Sequence, residues 1–375
     1  VTKSPAPDFA AAADYSTRHA GRAVLIMIDG AVAFERYDRG WSAERPHPLA
    51  SGTKSFTGVL AICAVQDGLL SLDEPACNTL TEWKNDPARS KITVRHLLTL
   101  SSGLEPGDEV FGNAGVGSTI LGPGRGGKKD EARGSREADD KFQAALTHPL
   151  SGSPGGQFEY GPSHFYAFGE LLQRKLEASK LETKTVMAYM QARLFDPIGM
   201  EMGRMGKDKA GNPALPGGAR LTAREWAKFG LLVLQHGAWK QPDGTMKHLI
   251  PADLLAQCFV PSPRNPAYGL TWWLLTSGNA QRVADGDAEQ APPARETLRQ
   301  RLRRQALESE AGSPVLDKDG KPLTVFMAAG KGKQRLYVIP SYNMVVVRFA
   351  EDTRDGAGFD NAPFLRPLLG LPEPK

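Results

Sequence analysis

At 375 residues with 41% hydrophobic content, the chain is long enough to bury a large core, as one big domain or two interleaved ones. Lys and Arg number 46 against 42 Asp and Glu, a formal charge of +4 over a large surface, which does not point to a nucleic-acid binder. No apolar run approaches the roughly 18 residues needed to span a bilayer, so no membrane span is expected.

The first residue is Val1, and no charged-then-apolar signal pattern follows it. The expectation is an exported protein, periplasmic or extracellular, whose signal has been removed. Cys63, Cys77 and Cys258 form no C-x-x-C pair, and the seven histidines include no H-E-x-x-H, so neither a disulfide framework nor a metal or other cofactor is expected. Cys63 falls on an apolar helix face and reads as a small core residue.

Residues 9–20 read as a short helix. Two apolar runs, 23–28 and 31–37, flank Asp29-Gly30, and a D-G pair in that setting is a hairpin signal. His47-Pro48 ends the next extended connection, and an apolar helical pattern then runs from Phe56 to Val65. Thr93 starts a short capped helix that closes near Gly103. Residues 105–157 are rich in glycine and charge with little periodicity, as in a lid or an insertion. Helices are expected at 166–178, 185–195 and 222–236, the last with Thr222 and Glu225 as a capping box. Residues 268–275 read as an aromatic strand, 295–310 as a solvated helix, and 323–329, 334–339 and 343–349 as strands.

Ser51 and Lys54 stand three apart where a loop enters a helix, so both side chains can lie on one face. A serine hydroxyl is a weak nucleophile unless a base is held within hydrogen-bond reach, and a lysine can be that base where burial lowers its pKa. The helix N-terminus adds N–H groups suited to a developing oxyanion. On spacing alone, a capping Ser51 and a solvated Lys54 fit as well.

The segment Ala50-Ser51-Gly52-Thr53-Lys54-Ser55-Phe56-Thr57 resembles the Ser-x-x-Lys motif of the serine β-lactamase-like and penicillin-binding-protein-like hydrolases. That family includes class C β-lactamases, D-stereospecific peptidases, family VIII carboxylesterases and 6-aminohexanoate-oligomer hydrolases. Residues 92–104 and 217–230 resemble its later segments, in the expected order. The resemblance implies an α/β (α+β) fold with a central antiparallel sheet, flanking helices and an inserted mostly helical domain. The division expected is 1–66 with 240–375 for the sheet part and 67–239 for the helical part, carrying the insertion at 105–157.

The resemblance also assigns roles. Ser51 is the nucleophile, Lys54 its base and Tyr160 the proton relay to the leaving group. The backbone N–H groups of Ser51 and Lys331 would form the oxyanion hole. Two positions depart from the family pattern. Pro162 stands where an amide or hydroxyl side chain is usual, and Ala328-Ala329-Gly330 stands where the family has Lys-Thr-Gly, His-x-Gly or Trp-x-Gly. Lys331 or Lys333 would have to replace the missing carboxylate-binding group. Phe165, Trp272, Trp273 and Gly330 are the remaining pocket candidates, with core packing the competing reading for the tryptophans. An uncharged ester needs no carboxylate partner, so ester hydrolysis through an acyl-enzyme is expected. The alternatives are amide, D-amino-acid peptide or β-lactam hydrolysis, and a non-catalytic binding homologue. The partner implied is a small-molecule ester or amide; the oligomeric state is not legible.

Overall fold

The computed structural model describes residues 6–112, 137–275, 314–352 and 358–372. The helix expected over 295–310 and the glycine-rich centre of 105–157 lie outside the described residues. The described ends of that second stretch hold two short helices, Asp108–Phe111 and Lys141–Thr147.

Asp29 (φ 52°) and Gly30 (φ 78°) both adopt the left-handed conformation that a two-residue turn needs to follow strand twist. They join β1 (Gly21–Ile28) to β2 (Ala31–Tyr37). Five short strands come next: β3 (His47–Pro48), β4 (Arg204–Met205), β5 (Ala219–Leu221), β6 (Ala238–Lys240) and β7 (Met246–His248). Then come β8 (Trp273–Leu275), β9 (Val325–Gly330), β10 (Gln334–Ile339) and β11 (Met344–Ala350). The main sheet has six strands in the order β2-β1-β11-β10-β9-β8, every pair antiparallel. Leu25 of β1 lies opposite Val347 of β11, so the two ends of the chain share one sheet.

Helices cover both faces of that sheet. Tyr337 hydroxyl donates to Asn361 at 2.6 Å and Arg348 Nε to Ser16 Oγ at 3.0 Å, which ties one face to the terminal helices Phe9–Arg18 and Asn361–Leu368. Leu336 and Val345 point the other way, an odd number of residues along their strands, and pack against Gly230 of the Ala223–Leu234 helix. A Cβ at Gly230 would stand 2.6 Å from the Val345 side chain, so glycine sets how closely that helix seats.

The Lys54–Gln66 helix is buried from Lys54 through Ala64. A helix apolar all round belongs in the core. Cys63 lies on it fully buried, as a core thiol.

Three local expectations need correction. The segment 268–275 is strand only from Trp273, because Thr271 (φ 65°) turns the chain and Gly269 N–H closes the turn on Trp272 O at 2.9 Å. The helix expected over 185–195 is α-helical through Val186–Met190 and then widens into a π-turn over Gln191–Phe195. Thr222 caps its helix by accepting from Glu225 N–H at 3.2 Å. The Glu225 carboxylate does not complete the box, since it accepts instead from Glu201 N–H and Lys228. No helix among the described residues is long and apolar enough to cross a membrane.

Candidate active site

Ser51 sits on a 3-10 turn, Ala50–Thr53, that feeds directly into the Lys54–Gln66 helix. The entry is fixed from both sides. β3 pairs with β5, and Leu49 N–H donates to Ala219 O at 2.9 Å. Ala50 then takes φ 48°, an unfavourable region for a residue with a Cβ, and redirects the chain into the helix. Thr53 Oγ1 donates to Ala50 O at 2.8 Å and accepts from Ala219 N–H at 3.1 Å, locking the turn to β5.

Two glycines allow close approach here. A Cβ at Gly52 would stand 2.8 Å from the Trp226 ring. A Cβ at Gly330, the last residue of β9, would overlap the Leu49 carbonyl oxygen and stand 3.0 Å from Gly52 N. The end of β9 therefore abuts the backbone on both sides of Ser51, and Lys331 leaves the strand beside it.

Lys54 is 1% exposed. Its Nζ donates to Ser51 Oγ at 2.9 Å and to the Pro216 carbonyl oxygen at 2.8 Å. The same atom lies 4.9 Å from the Tyr160 ring centre and 5.3 Å from that of Phe165. The reading of Lys54 as a solvated first-turn residue is thus overturned: the amine is enclosed by a hydroxyl, a carbonyl and two aromatic faces. Neither periodicity nor residue type marked Pro216 as a partner, because a backbone carbonyl carries no side-chain signature. Only its place next to the matched segment 217–230 hinted at it.

Tyr160 reaches the site from a buried loop ahead of the Ser163–Ala178 helix, which starts one turn earlier than expected. Gly161 packs on Pro106, where a Cβ would stand 2.5 Å from its Cα. Pro162 is buried and structural at this point, its carbonyl accepting from Phe165 N–H at 3.0 Å. The Tyr160 ring stacks on Trp273 at 6.1 Å and meets the edge of Tyr268 at 6.4 Å, with Phe158 completing the group. Burial holds the Tyr268 phenol well above its ordinary pKa, so that ring is a neutral wall.

The structure thus gathers Ser51, Lys54, Tyr160, Phe165, Trp273 and Gly330. Trp272 is separate. It is fully buried, stacks on Phe229 at 5.7 Å and meets Phe259, so it belongs to the core. Successive side chains of an extended chain point to opposite sides, and the two neighbouring indoles have different partners. The Lys331 ammonium lies 2.9 Å from Asp352 Oδ2 in an exposed pair, and it would have to leave that partner to stand in for a carboxylate-binding lysine. Tyr268 and Phe158 were missed, and their only sequence signal was aromatic content near the expected strand and the Tyr160 segment. Among the described residues no group of three or more His, Cys, Asp or Glu side chains gathers as a metal site.

A family model described as Beta-lactamase matches residues 8–368. Lovastatin esterase of Penicillium rubens is 30% identical over 172 residues, which is 40% of this chain and 37% of that relative. The match therefore spans little more than a third of that protein. EstCE1, a hydrolase with promiscuous acyltransferase activity, superposes with a TM-score of 0.60 at 13% identity over 96% of this chain and 97% of its own. A D-stereospecific amidohydrolase from Streptomyces sp. superposes with a TM-score of 0.62 at 15% identity over 98% of this chain and 100% of its own. At such identities the structural likenesses speak to the fold alone.

Proposed function

The chain belongs to the Beta-lactamase family, and on that premise we propose that it is a serine hydrolase cleaving carboxylic esters through an acyl-enzyme on Ser51. The observation that carries this reading is the 2.9 Å contact between a buried Lys54 amine and the Ser51 hydroxyl. A nucleophile within hydrogen-bond reach of a base is the minimum needed for acyl transfer.

Ser51 Oγ attacks the ester carbonyl carbon and gives its proton to Lys54 Nζ. The oxygen of the tetrahedral intermediate is met by the N–H groups of Ser51 and Lys331, where Gly330 brings the end of β9 against the nucleophile turn. Collapse expels the alcohol oxygen, which takes a proton from Tyr160, and the phenol regains one from the Lys54 ammonium. Water then attacks the acyl-enzyme and gives a proton to Lys54, which passes it to Ser51 Oγ as the acid leaves.

The preference for esters follows from what surrounds the nucleophile. Pro162 offers no polar side chain to an amide, Ala328 offers none to a carboxylate, and the Lys331 ammonium is engaged by Asp352. A charged substrate group buried without a partner would cost several kcal/mol. Similarity to an esterase over part of the chain supports the same choice. The buried Ser51–Lys54 contact argues against a non-catalytic binding role.

The test is incubation with a fluorophosphonate, a short-chain nitrophenyl ester and a chromogenic cephalosporin, with adducts located by intact mass and peptide mapping. Covalent mass on Ser51 with ester turnover and no cephalosporin turnover is expected. A protein that no reagent acylates at Ser51 overturns the proposal.

A further inference from the structure

One buried polar pair next to the site has no part in the chemistry above. His164, on the first turn of the Ser163–Ala178 helix, and Ser102, on the segment after the Val94–Leu98 helix, are both fully buried. His164 Nε2 lies 2.8 Å from the Glu159 carbonyl oxygen, and its Nδ1 lies 2.8 Å from Ser102 Oγ. A carbonyl oxygen can only accept, so Nε2 carries the proton and Nδ1 accepts from the Ser102 hydroxyl. Ser102 Oγ in turn accepts from Leu104 N–H at 3.2 Å. A second tie runs in parallel, where Glu159 N–H donates to Leu100 O at 2.7 Å, with Leu100 in the left-handed region at φ 56°. Both polar groups of the Glu159 backbone are therefore held, and the next residue is Tyr160.

We infer that the Ser102–His164 pair is a positioning device for Tyr160: it closes the loop 159–164 from inside and fixes where the phenol stands relative to Lys54 and Ser51. His164 touches no reacting atom in this scheme. Its ring clamps a backbone carbonyl, and the hydroxyl of Ser102 holds the ring in the tautomer that can do so. This inference rests on the reading of Tyr160 as the proton donor to the leaving alcohol. General acid catalysis is worth roughly 10²- to 10⁴-fold, and a shift of about 1 Å in a catalytic group can cost on the order of 10²-fold.

The leaving group separates a positioning role from a merely structural one. A nitrophenolate departs without a proton, whereas an alkoxide needs one. Ser102→Ala, His164→Gln and Tyr160→Phe would each be assayed on a nitrophenyl ester and an alkyl ester of the same acid, with thermal melts alongside. For Ser102→Ala and His164→Gln, kcat on the alkyl ester should fall by about 10-fold or more. On the nitrophenyl ester it should stay within about 3-fold, since no proton donation is at stake there. Equal losses on both esters, or no loss on either, overturn the inference. If His164→Gln does not fold, the milder Ser102→Ala decides alone. Tyr160→Phe calibrates the comparison. An equal loss on both esters in that variant would mean that the proton-donor reading of Tyr160 has failed, and the positioning role falls with it. Selectivity in Tyr160→Phe without selectivity in the other two rejects the positioning role alone.

Discussion

Lys54 Nζ and Ser51 Oγ stand 2.9 Å apart, one helical step from each other, and the amine is also held by the carbonyl of Pro216 from 162 residues further along the chain. The local spacing brings the pair together, and the distant carbonyl fixes the direction of the amine.

Replacing Lys54 by Met should leave the protein folded and lower the rate of Ser51 acylation by roughly 10²- to 10⁴-fold, the range for a lost acid–base group. Lys54→Arg should not restore it, since a guanidinium does not give up its proton in a protein. Stopped-flow acylation by a nitrophenyl ester checks both; near-normal acylation in Lys54→Met would remove the lysine from the mechanism.

Gly330→Ala places a methyl group against the Leu49 carbonyl and Gly52 amide. Backbone must move, because neither neighbour is the end of a flexible side chain. A loss of about 1 to 3 kcal/mol is expected for such overpacking, with a larger proportional loss of kcat than of KM affinity, since the displaced turn carries Ser51. Urea unfolding and steady-state kinetics on the same preparation give both numbers.

Trp272 and Trp273 should separate cleanly. Trp272→Ala removes a core indole and should cost about 3 to 5 kcal/mol of stability. Trp273→Ala removes the ring stacked on Tyr160 and should reduce kcat/KM for esters by about 10-fold through misplacement of the phenol. The assignment fails if the Trp273 variant keeps full activity per folded molecule.

Burial pushes the His47 imidazole from its ordinary 6.5 down to about 4, with Arg220 and Arg45 adding to the fall. The unfolded chain therefore takes up this proton near pH 6.5 and the folded chain only near pH 4. Stability from this group is full above the unfolded value and is lost as pH falls between the two, by roughly 3 kcal/mol in all. Urea midpoints between pH 7 and pH 4 should show this slope in the native protein and a shallower one in His47→Gln. Identical slopes would mean that His47 takes up its proton as readily in the fold as in the unfolded chain.

Much of this was legible from residues with strong local chemistry. Asp29-Gly30 announced the hairpin because both positions need positive φ. Thr93 and Thr222 marked helix starts because a hydroxyl can replace a missing backbone partner there. The Ser51–Lys54 pair was legible as geometry but not as burial, since enclosure of the amine depends on Pro216, Tyr160 and Phe165, each more than a hundred residues away. The segment 268–275 misled because aromatic and β-branched residues favour strands on average, while Thr271 is held in a turn by its neighbours: its hydroxyl accepts from Gly58 N–H at 3.0 Å and its own N–H donates to Leu98 O at 3.2 Å. Tertiary contacts of that kind leave no local trace.

The pairing of β1 with β11 joins residues more than three hundred positions apart. During synthesis the nucleophile turn and its helix therefore leave the ribosome long before the strands β9 to β11, against which Gly330 and the sheet must seat. A nascent chain stopped before Met344 has β1 without its inner neighbour, a hydrophobic strand with an open edge. Ser51 is made early but its surroundings close last, so the proposed site can be complete only once the final strand has been released.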